Sequence, residues 1–123
     1  MIILLVDDDE DDQDIFREAV SEVRPDCEVR VACDGEHALE KLGEQPQLPD
    51  YIFLDVNMPK MDGREFLAQV KAHPLYQNVP VVIYSTSSHK SEMGTYFKMG
   101  ATNFLTKPSE FSLLVTYLKT ILH

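Results

Sequence analysis

The sequence predicts an α/β domain, a five-stranded parallel sheet wound on both sides by helices. Three observations carry that prediction. Five short apolar runs alternate with segments of helical period along the 123 residues. The runs are nearly continuous rather than alternating, as in strands buried on both faces. Each run also stops at polar residues. In such sheets the ligand site lies beyond the C-terminal strand ends, where the strand order reverses. The length suits one domain spanning residues 1–123, and 44% hydrophobic with 26% charged residues is ordinary globular composition.

The elements follow in order. Ile2-Ile3-Leu4-Leu5-Val6 is the first strand, ended by acids. Ile15, Phe16, Ala19, Val20 and Val23 recur at helical spacing, and Arg24-Pro25-Asp26 breaks that helix. Val29 to Ala32 is a second strand, and Glu36 to Leu42 a short helix closed by Gly43. Tyr51 to Leu54 is the third strand, stopped by Asp55. After a loop with Pro59 and Gly63, a helix presents Phe66, Leu67 and Val70 and ends before Pro74. Val81 to Tyr84 is the fourth strand, stopped by hydroxyl residues. A weak helix over Lys90 to Met99 contains Gly94 and the β-branched Thr95, both poor helix formers. Asn103 to Thr106 is the fifth strand. The last helix carries an apolar stripe of Phe111, Leu114, Val115, Leu118, Ile121 and Leu122.

Charge narrows the function classes. The formal net charge is -10, yet residues 1–62 hold 18 acids against 5 bases and residues 63–123 hold 3 against 6. A surplus of acids opposes nucleic-acid binding, which needs clustered Lys and Arg. Asp7 to Asp12 are six consecutive acids whose mutual repulsion resists compaction unless something compensates it. Cys27 and Cys33 form no disulfide framework and lack metal-site spacing, and are read as inert thiols. The opening run is too short for a signal-peptide core or a membrane span, so a cytoplasmic location without membrane contact is expected.

The strand ends hold the candidate site. Asp7, Asp8 and Asp9 follow the first strand, Asp55 the third, Ser85 to Ser88 the fourth and Lys107 the fifth. If the first and third strands are neighbours, Asp7, Asp8 and Asp55 converge, and three close carboxylates either take up protons or bind a cation. Oxygen-only ligands suit Mg²⁺. A carboxylate, Mg²⁺, an ammonium and a hydroxyl together suit phosphoryl transfer, with the cation and Lys107 neutralising charge while a carboxylate attacks. No Gly-x-x-x-x-Gly-Lys loop is present to cradle a nucleotide triphosphate.

Four motifs in order fill the chain: Leu5-Val6-Asp7-Asp8-Asp9, the run from Leu54-Asp55 through Asn57, Met58-Pro59 and Lys60 to Asp62-Gly63, Ser85 after Pro80 and its apolar run, and Lys107-Pro108. With these motifs the sequence resembles the two-component response-regulator receiver domains, the CheY-like family of flavodoxin-like fold, whose strand order is 2-1-3-4-5. The resemblance implies that Asp55 accepts a phosphoryl group from a phosphohistidine. It implies that Asp8 binds Mg²⁺ directly, Asp7 mainly through water, and the backbone carbonyl of Asn57 as a further ligand. Lys107 would pair with Asp55 and the phosphoryl group, and the Ser85 hydroxyl would hydrogen-bond the phosphoryl oxygen. Phe104 occupies the aromatic switch position, against a plain core role. Asn57 and Ser87 would tune phosphoryl lifetime. A cis peptide bond is implied before Pro108.

The other residues are given plainer roles. Asp9 to Asp12 are read as a helix start, where acids cap the backbone and suit the dipole. His37, His73, His89 and His123 lie off the site and are assigned no catalysis. The expected domain is a phosphorylation-dependent signalling switch that catalyses its own phosphorylation and slow hydrolysis, without multiple turnover of a metabolite. Its partners are a sensor histidine kinase or a histidine phosphotransfer protein, and an unidentified effector. The fourth helix, fifth strand and last helix, with Tyr96, Phe97 and Tyr117, are the candidate effector or dimer face. Because His123 closely follows the last helix, a stand-alone domain is expected. A phosphorelay intermediate uses the same site. A Mg²⁺-dependent phosphatase of the haloacid dehalogenase type needs its nucleophile after the first strand and a cap, which this sequence does not supply.

Overall fold

A computed structural model describes residues 1–44, 46–56, 63–86 and 90–122. Five strands and five helices alternate: β1 (Ile2–Val6), α1 (Glu10–Val23), β2 (Glu28–Ala32), α2 (Gly35–Glu44), β3 (Tyr51–Leu54), α3 (Gly63–Ala72), β4 (Val81–Ser85), α4 (Lys90–Lys98), β5 (Asn103–Thr106) and α5 (Phe111–Ile121). The sheet is parallel throughout, in the order β2-β1-β3-β4-β5. Strand order therefore reverses between β1 and β3, the position the site requires.

The period-two alternation of strand side chains splits the core in two. Leu4, Val6, Ile52, Leu54, Val81 and Ile83 face one side with Phe66, Leu67 and Val70 of α3. Ile3, Leu5, Phe53, Val82, Tyr84 and Leu105 face the other, against Phe16 and Ala19 of α1 and Leu114 and Leu118 of α5. Phe16 is fully buried with its ring 5.0 Å from that of Phe53, a contact that anchors α1 to the sheet centre. Burying such a side chain contributes about 1.5–3 kcal/mol.

Register aligns the site. Val6 pairs with Ala32 on one side and Leu54 on the other, so Asp7 and Asp55 leave the sheet side by side. Ser85 pairs with Thr106, which sets Lys107 one residue past the last rung.

Several details differ from the sequence expectation. Gly43 lies inside α2 rather than closing it, since the helix runs to Glu44. The glycine that ends a helix is Gly100, at φ 109. There Gly100 N–H donates to the Phe97 carbonyl and Ala101 N–H to the Tyr96 carbonyl, the two bonds of a Schellman turn after α4. Ile15, expected on the apolar face, is 43% exposed, and Phe111, at the first position of α5, is 37% exposed. Both line an open cleft between α1 and the start of α5. The peptide bond implied to be cis before Pro108 is trans, the described backbone having no cis bond. Trans is the isomer favoured for X–Pro by about 0.5–1 kcal/mol.

Candidate phosphoryl-transfer site

Each functional side chain is delivered by a strand end. Asp7 N–H donates to the Ala32 carbonyl at 2.9 Å and Asp55 N–H to the Val6 carbonyl at 2.9 Å, extending both ladders past the strands. These bonds fix the two backbones that carry the carboxylates. Asp7 is fully buried, Asp55 nearly so and Asp8 exposed. Their carboxylate oxygens lie within 4.8 Å of one another.

Lys107 meets this cluster from β5. Its Nζ lies 2.8 Å from Asp7 Oδ2, 2.8 Å from Asp12 Oδ2 and 3.1 Å from Asp55 Oδ2. An ammonium has three donors, and three carboxylates take them. Burial alone would lower the Lys107 pKa, but the hydrogen bonds to Asp12 and Asp7 and the charge of Asp55 outweigh it and hold the pKa above its ordinary value. The ammonium also stands 5.3 Å from the centre of the Tyr84 ring.

Asp7 has the opposite balance. Burial pushes its carboxyl upward, against the hydrogen bonds from Lys107 and from Asp9 N–H, which reaches Asp7 Oδ1 at 3.0 Å. A buried acid with a second acid at its side is stabilised in its charged form by a cation. The donor set is oxygen only, from two buried carboxylates and one open to solvent, and it fits a hard divalent ion that retains water.

The sequence-derived site assembles for Asp7, Asp8, Asp55 and Lys107. Ser85 is fully buried at the end of β4, and its carbonyl accepts from Lys107 N–H at 2.7 Å. Phe104 is half-buried against the α3 side of the core, its ring centre 6.3 Å from that of Tyr96. Asn57 and Ser87, the two lifetime-tuning positions, lie outside the described residues, and so does the Asn57 carbonyl.

Three contributors escaped the sequence reading. Asp9 does cap α1, accepting from Asp12 N–H at 3.0 Å, but the Asp12 side chain turns to Lys107. The signal for it was helical spacing: Asp12 stands four residues before Phe16 and seven before Ala19, on the buried stripe. Gln13 Nε2 donates to the Asp7 carbonyl at 2.7 Å and so ties the first turn of α1 to the loop after β1. Tyr84, one residue before Ser85, backs Lys107 from the opposite core. Among the face residues, Phe97 and Tyr117 are exposed, whereas Tyr96 is buried in the core and leaves that surface.

The response regulator receiver domain family matches residues 3–119. The chain belongs to that family, a component of two-component signalling. It is 33% identical over 111 residues to response regulator Rcp1 of Synechocystis sp., covering 86% of this chain and 76% of Rcp1. Over 118 residues it is 30% identical to the sensor histidine kinase CheAY of Helicobacter pylori, of whose length the match covers 14%. Among solved structures, the phosphorylated cyanobacterial phytochrome response regulator RcpA superposes with a TM-score of 0.88 at 33% identity, over 98% of this chain and 89% of that one. The Mn²⁺-bound form of Rcp1 gives 0.85 at 31% identity over 98% and 90%. Among the described residues, no helix is long and apolar enough to cross a membrane.

Proposed function

We propose that this chain, as a receiver domain over residues 1–123, is a phosphorylation-dependent switch that takes a phosphoryl group from a phosphohistidine onto Asp55. The observation that carries the reading is the Asp55 carboxylate held 3.1 Å from the Lys107 ammonium, beside Asp7 and Asp8. An Asp55 oxygen attacks the phosphorus, the P–N bond breaks, and the electron pair leaves with the donor imidazole, which takes up a proton. Lys107 neutralises charge gathering on the transferred oxygens. Asp7, Asp8 and Asp55, with the Asn57 carbonyl, would hold Mg²⁺, which would supply further neutralisation of the transferred group. Water later hydrolyses the acyl phosphate, and Asn57 and Ser87 set how fast it enters. A phosphorylated relative and a Mn²⁺-bound relative of the same fold support the assignment.

Switching follows at β4 and β5. The Ser85 hydroxyl turns to the phosphoryl group, and Phe104 closes into the space it leaves, shifting a pre-existing equilibrium toward a second state. The α4-β5-α5 surface, with exposed Phe97 and Tyr117, then engages an effector protein or a second copy in the cytoplasm. The donor is a sensor histidine kinase or a histidine phosphotransfer protein.

Phosphotransfer profiling against a panel of histidine kinases tests this. Label is expected on the wild-type chain with Mg²⁺, and its loss in Asp55→Asn. Equal labelling of that variant overturns Asp55 as the acceptor.

A further inference from the structure

We infer that Asp12 is a positioning residue that holds Lys107 in the unphosphorylated state and must release it when a phosphoryl group occupies Asp55. This inference rests on the phosphoacceptor reading of Asp55. All three Lys107 donors are engaged, at 2.8, 2.8 and 3.1 Å, by Asp7, Asp12 and Asp55. A phosphoryl oxygen can accept from the ammonium only if one of those bonds opens.

The three partners are not equivalent. The Asp7 side chain is fully buried and cannot rehydrate cheaply once its donor leaves, and Asp55, 8% exposed, still carries its charge as the phosphoryl group approaches. Asp12 is 34% exposed, stands on a helix rather than a strand end, and lies outside the carboxylate trio suited to the cation. It borders an open cleft shared with Ile15, Tyr84, Pro108 and Phe111, where water can replace the lysine. Asp12 is thus the bond that opens first. Until it opens, its charge competes with the incoming phosphoryl group for the same ammonium. Its removal raises the phosphorylated fraction, whereas a structural lesion lowers it.

The test compares wild-type chain, Asp12→Asn and Asp11→Asn in saturating Mg²⁺ with acetyl phosphate as donor. Asp11→Asn removes the same charge from the same helical turn at an exposed side chain. Asp12→Asn should raise the steady-state Asp55-phosphoryl fraction, read by mass spectrometry, by roughly three- to fivefold, the upper scale of a partly screened charge pair. Asp11→Asn should stay within about twofold. No rise in Asp12→Asn, or an equal rise in both variants, overturns the latch. Absence of Asp55 label in the wild type overturns the acceptor reading instead. The latch is then judged by NMR of the Lys107 ammonium without donor. Faster hydrogen exchange in Asp12→Asn supports it, and an unchanged rate overturns it.

Discussion

The backbone N–H of Lys107 donates to the Ser85 carbonyl at 2.7 Å, one step beyond the Ser85–Thr106 rung. The residue that neutralises the site and the residue that carries its hydroxyl are therefore parts of one ladder. Movement of either backbone is transmitted to the other without an intervening side chain.

That coupling makes Lys107 structural as well as chemical. Lys107→Met keeps the aliphatic packing but leaves Asp7, Asp12 and Asp55 without their shared ammonium. We expect a loss of about 2 kcal/mol in urea unfolding, below the usual penalty for a broken buried pair because Asp7 can take up a proton. Millimolar Mg²⁺ should stabilise the variant more than the wild type, since a cation held by Asp7, Asp8 and Asp55 would bind the folded state only. An equal Mg²⁺ increment in both proteins would contradict the shared-charge account.

Tyr84 sets an alkaline limit. Burial pushes its phenol up to about 12, from an ordinary value of 10.0. The folded state holds the proton longer than the unfolded state. The resulting stability is complete below pH 10 and disappears as pH rises through about 12. Lys107, also held above its ordinary value, acts in the same direction. Tyr84→Phe should flatten part of the fall in stability over that window, on the order of 1 kcal/mol. Alkaline unfolding curves that superpose for the two proteins would refute the assignment.

Gly63 opens α3 against the residue that follows Asp55. A Cβ built there would stand 2.6 Å from Val56 Cα and 2.6 Å from its Cγ1, closer than packed atoms tolerate. Gly63→Ala must displace either the helix start or the Val56 backbone, at a cost of about 1–3 kcal/mol. Thermal unfolding should report the loss, and a midpoint equal to wild type would show that the contact yields freely.

Most of the fold could be read from the sequence because it rests on local patterns. The first, third and fifth strands occupy the residues their apolar runs indicate, and the second and fourth strands, α2 and α4 differ by one or two residues at their ends. Asp7, Asp8, Asp55 and Lys107 were visible for the same reason, each standing just past a buried strand. Asp12 was not, because an acid in the first turn of a helix is adequately explained by capping and the dipole. Its partner is 95 residues away and depends on how α1 packs near β5. Gly43 misled for a related reason: a glycine closes a helix where its backbone turns left-handed, and among the described residues only Gly100 does so.

The segment after Ser85 should be the least stable helix, and Gly94 is the place to test it. A Cβ added at Gly94 meets nothing within 4 Å, so Gly94→Ala is sterically open. It is not at positive φ, so alanine fits the helical backbone. The substitution removes the entropy cost of glycine in a helix interior and should stabilise α4 by about 1 kcal/mol. If α4 opens locally rather than with the whole domain, amide exchange across it should slow by roughly fivefold, the factor matching that energy. Exchange in β1, which samples global unfolding, should slow by a similar factor because that state also melts α4, while α4 should exchange far faster than β1 in both proteins. Exchange in α4 as slow as in β1 would mean that α4 opens only with the domain as a whole, leaving no independent element for phosphorylation to bias.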